Sequence, residues 1–394
     1  MNKKNIPTKI PAPTPRAVKP LAFASFLNDF GSDIVYAIWP IFVVSLSGAN
    51  MAILGLIDGL GDAVVSISKA ISGYWSDRIK KRKVFIWVGY FLGALSRIGY
   101  AFAPAWQWLA PLRVLDRAGK IRSTPRDAIV ADESEFSNRG KNFGILKAAD
   151  SIGAFAGIIF AIGLFPLLGY QKLFLFAAIP SLIGAIFVVA FIKEKKNVEK
   201  KIFPGLRFKD LDANFRLFMI ASAIFSLGAF SYSFLMVFAN KYGFAETTVP
   251  LLYLIFTAVA AAVSIPFGRL SDKIRSRKKV FLLSYALWIA VCALFMLNQS
   301  SAAIIAGFIL YGFHKGAFEA VQKAFVSELA PEKYRASSLG TVQLITGICA
   351  LPASLAAGIL WNMFNPFVPF LVSIILASVS GILMIFVKEK NEAD

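Results

Sequence analysis

Apolar runs about as long as a lipid bilayer is thick recur from one end of the sequence to the other, and they decide what the chain can fold into. An α-helix needs about 20 mostly apolar residues to cross the hydrocarbon core. Such runs are read at 19–46, 51–74, 84–103, 105–122, 143–168 and 172–192, then at 215–240, 247–270, 280–298, 301–325, 338–363 and 367–388. Within lipid each segment must satisfy its own backbone amides, so these runs are expected to be helices. The fold class that follows is an all-α membrane protein with about twelve spans. Composition agrees, with 57% of residues hydrophobic and 16% charged, against about a quarter charged in soluble domains.

Charge orients the spans. The net charge of +19 lies in short clusters between apolar runs, the pattern of topogenic loops rather than of nucleic-acid binding. Lys3, Lys4, Lys9, Arg16 and Lys19 share a side with the 78–83, 139–141, 193–212 and 269–279 stretches and with Lys388 and Lys390. The opposite loops carry chiefly Lys172 and Lys241. By the positive-inside rule both termini are expected in the cytoplasm, with the protein spanning the cell membrane. The basic, Pro-rich start resembles a signal n-region. The apolar stretch after it is too long and carries Asn28, Asp29 and Asp33, so it reads as a retained first span.

The chain also repeats itself. GYWSDRIKKRKVF at 73–85 aligns with GRLSDKIRSRKKV 195 residues on, at 268–280, and NRGKNFG around Arg139 aligns with YRASSLG around Arg335. One offset at two places implies two homologous six-span halves in the same orientation. The expected units are a disordered tail at 1–18, a bundle at 19–192, a linker at 193–213, a second bundle at 214–388 and a tail at 389–394. Repeats of this kind, set around a cavity at the membrane midplane, are a design of secondary transporters.

Other chemistry finds little support. Cys292 and Cys349 both lie inside apolar runs, and His314 is the only histidine, so neither a disulfide framework nor a His/Cys metal cluster is expected. There is no phosphate-binding G-x-x-x-x-G-K-[ST] loop and no Ser-His-Asp set. The expectation is therefore no enzyme, no cofactor and no metal, and transport driven by a gradient rather than by ATP.

The repeated loop carries a specific pattern. Gly73, Asp77, Arg78 and the 81–83 basic run, with the weaker copy Gly268, Asp272, Lys273 and Arg277, resemble the G-x-x-x-D-R-x-x-x-R-K loop of the major facilitator superfamily (MFS). Physically, a glycine there permits close helix approach. An aspartate can cap a neighbouring helix or pair with an arginine, so Gly73, Asp77, Arg78, Arg82, Gly268, Asp272 and Arg277 are candidates for a cytoplasmic gate. The 113–134 segment, with Asp116-Arg117, Gly119-Lys120 and Pro125-Arg126-Asp127-Ala128, resembles a block that a prokaryotic subgroup of the superfamily carries after span four. Thr124, Pro125 and Asp127 read locally as the capped start of a short helix, with Arg126 and Asp127 as structural or gating residues. Gly153 and Gly157 match the glycines of the family's antiporter motif, while Ile158 stands where that motif has proline. The resemblance implies the MFS fold of two six-helix bundles and transport of a small-molecule substrate.

Charges at membrane depth are functional candidates by default. Asp29 and Asp33 are four apart on span one, and Asp58 and Asp62 do the same on span two, each pair sharing a helix face. With no cation in the neighbouring turns, mutual repulsion favours proton uptake, which makes these four the expected proton or cation-coupling set. Asn28, Arg113, Lys147 and Glu319 are expected on the substrate cavity. Lys315–Glu319, Lys147–Asp150 and Asp116–Lys120 read as self-neutralising pairs, and His314 as a packed residue. The leading expectation is a monomer working by alternating access, exporting a small organic solute against protons. Organic-anion transport through a basic cavity built on Arg113, Arg117, Lys69 and Lys147 is the alternative. A non-transporting membrane sensor is the reading from another class.

Overall fold

The computed structural model describes residues 17–79, 81–135, 138–192, 211–330 and 335–389. Most of the expected 1–18 tail, 193–213 linker and 389–394 tail lies outside them. The described residues form helices and no strand. In chain order these are α1 (Val18–Ser45), α2 (Met51–Ile79), α3 (Arg82–Ala101), α4 (Leu109–Ala118), α5 (Ser123–Glu133), α6 (Arg139–Phe191) and α7 (Ala213–Gly228). There follow α8 (Tyr232–Lys241), α9 (Val249–Lys273), α10 (Arg277–Leu297), α11 (Ser301–Leu329), α12 (Arg335–Met363) and α13 (Phe367–Phe386).

Ten helical stretches among the described residues are long and apolar enough to cross a membrane, with α7 and α8 counted as one. At 53 residues, α6 is about 80 Å of helix, too long for one crossing of a roughly 30 Å core. It turns back at Gly169, whose φ of 63° and ψ of −174° suit glycine alone. The spans expected at 143–168 and 172–192 are its two arms. The remaining crossing is α4, a helix of 10 residues carrying Arg113, Asp116 and Arg117, extended by its flanking 3₁₀ turns, Trp106–Trp108 and Gly119–Arg122. These make twelve crossings in two six-helix bundles.

Glycines set the packing of the first bundle. A β-carbon on Gly153 or Gly157 of α6 would strike the carbonyl oxygens of Phe26 and Phe30 on α1, and one on Gly31 would strike that of Ala177. The backbones therefore meet directly, as small residues allow where no hydrophobic driving force acts between helices. The second bundle is filled by rings. Phe225 stacks on Tyr285 at 3.9 Å between centroids, and buried His314 lies 5.4 Å from Trp288. Its Nδ1 is 2.7 Å from the Ser284 carbonyl oxygen, the packed role expected of it. Asp212, Ser276 and Ser300 cap α7, α10 and α11 by accepting backbone N–H groups with their side chains.

Candidate functional site: a cavity between the bundles

A cavity of about 1490 Å³ lies between the two bundles. It reaches the basic end of the molecule, where the α2–α3 and α9–α10 connections lie. Lys69, Gly73 and Tyr74 of α2 line one wall there, and Leu339, Gly340 and Gln343 of α12 line the other. The remaining walls come from α1, α5, α6, α8, α9 and α11, with Asp29, Lys147, Tyr253 and Lys315 among the side chains.

The opposite end is closed. There α2 and α12 run antiparallel in direct contact. A β-carbon on Gly55 would strike the Ser354 carbonyl, one on Gly59 the Leu351 backbone, and one on Gly358 the Met51 carbonyl. The seam is fastened by Asp58, which is 3% exposed. Its Oδ1 accepts Trp39 Nε1 at 2.8 Å and Arg113 Nη2 at 3.0 Å. Its Oδ2 accepts the hydroxyls of Ser231 at 2.8 Å and of Ser233, both from the other bundle. Ser231 is also the N-cap of α8, so the carboxylate lies at the positive end of a helix interrupted in mid-membrane. The Arg113 guanidinium stands 4.2 Å over the Trp39 ring, which makes it a positioned counter-ion. Other bonds also cross between the bundles: Tyr253 donates to Asp33 Oδ1 at 3.0 Å, Tyr232 to the Tyr36 carbonyl at 3.1 Å, and Tyr170 to Glu246 Oε2 at 3.0 Å.

The four expected coupling acids separate by environment. Asp58 belongs to the seal. Asp29 accepts Asn28 Nδ2 at 2.9 Å, and Arg122 lies 3.8 Å from it. Asp33 is half-buried under Tyr253. Asp62 is exposed although it lies mid-helix, and has no hydrogen-bond or ion-pair partner among the described residues. Of the expected cavity residues, Lys147 and Glu319 line the space. Asn28 and Arg113 are each 1% exposed and lie in packing, Asn28 accepting the Ser181 hydroxyl at 3.0 Å.

The expected gate residues pair within their own bundles. Arg82 bonds Asp132 on α5 at 2.5 Å. Arg126 meets Asp127 and Asp150, each at 3.1 Å. Arg277 meets Asp272 at 2.5 Å and Glu328 at 3.1 Å. Exposed Arg78 donates to Tyr74 at 3.3 Å, nothing approaches a β-carbon on Gly268 within 4 Å, and the Asp77 side chain is not among those described. Gly73 is close only to Thr124, whose methyl would be 3.1 Å from its β-carbon.

Two local readings are corrected. Thr124 is not an N-cap, because α5 continues from the 3₁₀ turn at Gly119–Arg122 without a side-chain cap; its hydroxyl donates instead to the Lys69 carbonyl at 3.2 Å. The expected pairs along single helices do not form either. Asp150 goes to Arg126, and Asp116 lies 3.9 Å from Arg113 and 3.8 Å from Arg117. Lys120, Lys147 and Lys315 have no carboxylate in ion-pair range among the described residues.

Known proteins share this architecture. The Major Facilitator Superfamily model matches residues 21–236 and again 216–394. An uncharacterized MFS-type transporter of Methanocaldococcus jannaschii is 36% identical over 379 residues, covering 93% of this chain and 94% of that protein. Among solved structures, a bacterial homologue of the human lysosomal transporter Spinster, inward-facing and occupied, superposes with a TM-score of 0.76 at 15% identity, covering 94% of this chain and 96% of its own. A nucleoside transporter superposes with a TM-score of 0.79 at 14% identity, covering 94% and 100%. With its two bundles, the cavity between them and this similarity along nearly its whole length, the chain belongs to the Major Facilitator Superfamily, a family of membrane transporters rather than enzymes.

Proposed function

We propose that the chain is a gradient-driven transporter of small organic anions in the cell membrane, seen here in the state open to the cytoplasm. The positive-inside rule assigns the basic end to the cytoplasm, which makes the Asp58 seam the extracellular gate and the cavity mouth the cytoplasmic entrance. Alternating access would close the mouth and open the seam.

The charge of the cavity wall carries the choice of substrate. Lys69, Lys120, Lys147, Lys315 and Lys323 line it, none with a carboxylate in ion-pair range among the described residues. Of the wall's acids, Asp29, Asp127 and Asp150 already face Arg122 or Arg126, leaving Glu319. Enclosed like-sign walls concentrate the oppositely charged solute. A cation would enter against that field, so organic anions fit this wall better than the cationic cargo of proton-driven export. Asp62, exposed and without a partner among the described residues, and Asp33, held by one hydroxyl, are the residues we assign to the coupling proton.

The test is a thermal-shift comparison on detergent-purified protein, using one scaffold as its carboxylate, its amide and its amine. A ligand at 100 times Kd raises stability by about 2.7 kcal/mol. Stabilisation by the carboxylate alone supports the reading; stabilisation by the amine alone overturns it.

A further inference from the structure

The wall facing the lysines is aromatic, and its rings form one continuous shelf. Tyr232 of α8 lies 5.3 Å from Tyr253 of α9, Tyr253 lies 5.0 Å from Phe256, and Phe256 lies 5.0 Å from Tyr311 of α11. All four line the cavity. Neighbouring planes are tilted by 54°, 83° and 62°, so the shelf offers both ring faces and ring edges. It ends on a cation, with Lys315 Nζ 5.9 Å from the Tyr311 centroid. Three helices of one bundle build the shelf, whereas Lys69, Lys120 and Lys147 belong to the other bundle.

The two walls also differ in depth. Tyr253 and Phe256 lie within the first turns of α9 from the closed end, about 6–10 Å along the helix. Lys69 is 18 residues into α2 from the same end, about 27 Å along it. The closed apex is thus aromatic and the mouth basic. Only a solute with a flat apolar body and an anionic group at one end meets both walls at once. A purely aliphatic anion would leave the ring faces without their preferred partners, and an inorganic anion would leave the shelf empty.

We propose that the substrate is an aromatic organic anion, with its ring against the Tyr232–Tyr253–Phe256–Tyr311 shelf and its carboxylate or other acid group among the lysines. This rests on the organic-anion reading above and narrows it. Aromatic pairing beyond simple burial is expected to give about a tenfold preference over a saturated anion of the same skeleton and charge.

The experiment is calorimetric binding of naphthalene-2-carboxylate and of decalin-2-carboxylate to the full chain in detergent, with 2-naphthylmethylamine as the cationic comparison. The expected result is about tenfold tighter binding of the naphthalene acid, with the preference lost in Phe256→Leu while both acids still bind. Equal binding of the two acids overturns the aromatic assignment and leaves the organic-anion reading standing. Binding of the amine with neither acid overturns both, as does failure of all three to bind. If Phe256→Leu does not fold, the wild-type preference decides alone.

Discussion

Asp58 of one bundle accepts the Ser231 hydroxyl of the other at 2.8 Å while holding Arg113 of its own at 3.0 Å. One carboxylate therefore serves two purposes: it neutralises a buried arginine, and it ties the bundles together at the closed end. The two can be separated by mutation. Ser231→Ala with Ser233→Ala leaves the Arg113 pair in place and removes the cross-bundle bonds, each worth about 1.5–3 kcal/mol because the acceptor is charged, together with the Ser231 cap on the Ser233 N–H. The expected outcome is at least about a tenfold shift toward the state open at that end, since about 1.4 kcal/mol is a factor of ten. Spin labels at Ala49 and Asn365, with Cys292 and Cys349 replaced, would show a longer distance population. An unchanged distribution would count against the seam as a gate.

Glycines at the seam and within a bundle should behave differently. Gly55 faces the Ser354 carbonyl across the bundle interface, whereas Gly157 faces the Phe30 carbonyl inside one bundle. Overpacking costs about 1–3 kcal/mol in either case. At Gly55→Ala the bundles can relieve it by parting, so the melting temperature should hold while the same spin-label distance lengthens. At Gly157→Ala no such movement is open, and the melting temperature should fall by several degrees. Equal losses of stability would refute this distinction.

Asp58 and Asp62, one helical turn apart, are predicted to fail in opposite ways. Asp58→Asn removes the closer of the two carboxylates at buried Arg113, leaving Asp116 at 3.9 Å; breaking a buried pair costs up to about 3–5 kcal/mol, so thermal unfolding should show a clear loss. Asp62→Asn breaks no contact and should leave unfolding unchanged while abolishing the pH dependence of flux. A pH profile that survives in Asp62→Asn moves the coupling assignment to Asp33.

Arg126 and Asp150, 3.1 Å apart and both partly buried, should be energetically coupled. A double-mutant cycle with Arg126→Gln and Asp150→Asn is expected to give a non-additivity of about 0.5–3 kcal/mol in unfolding. Strict additivity would mean that the pair is only adjacent.

The spans were legible because lipid imposes a length and a composition that each segment must meet alone. Duplication was legible because Gly73 and Gly268 head the same pattern. Partner choice was not, because it is made between helices. Asp150 looks paired with Lys147 along the chain yet meets Arg126 from α5, and Asp58 looks like a twin of Asp62 yet is taken by Arg113 and Ser231. The aromatic shelf carried no signal, since Tyr253 and Phe256 resemble any rings in an apolar span. One clue was present and unused: Gly228 and Ser231 interrupt the seventh span, and broken spans point to the working region of a transporter.

The most direct test of the account is flux of naphthalene-2-carboxylate, followed by its own fluorescence, in proteoliposomes carrying wild-type protein or the Lys69→Gln, Lys315→Gln double variant. Neither lysine has an acidic partner in ion-pair range among the described residues, so the variant should fold normally. Each removes a charge-assisted contact to the solute, with an expected loss of about tenfold per lysine. Wild-type flux well above that of protein-free vesicles, falling about a hundredfold in the variant, is what the account predicts. Equal flux through both proteins, or passage of 2-naphthylmethylamine in place of the acid, would contradict it.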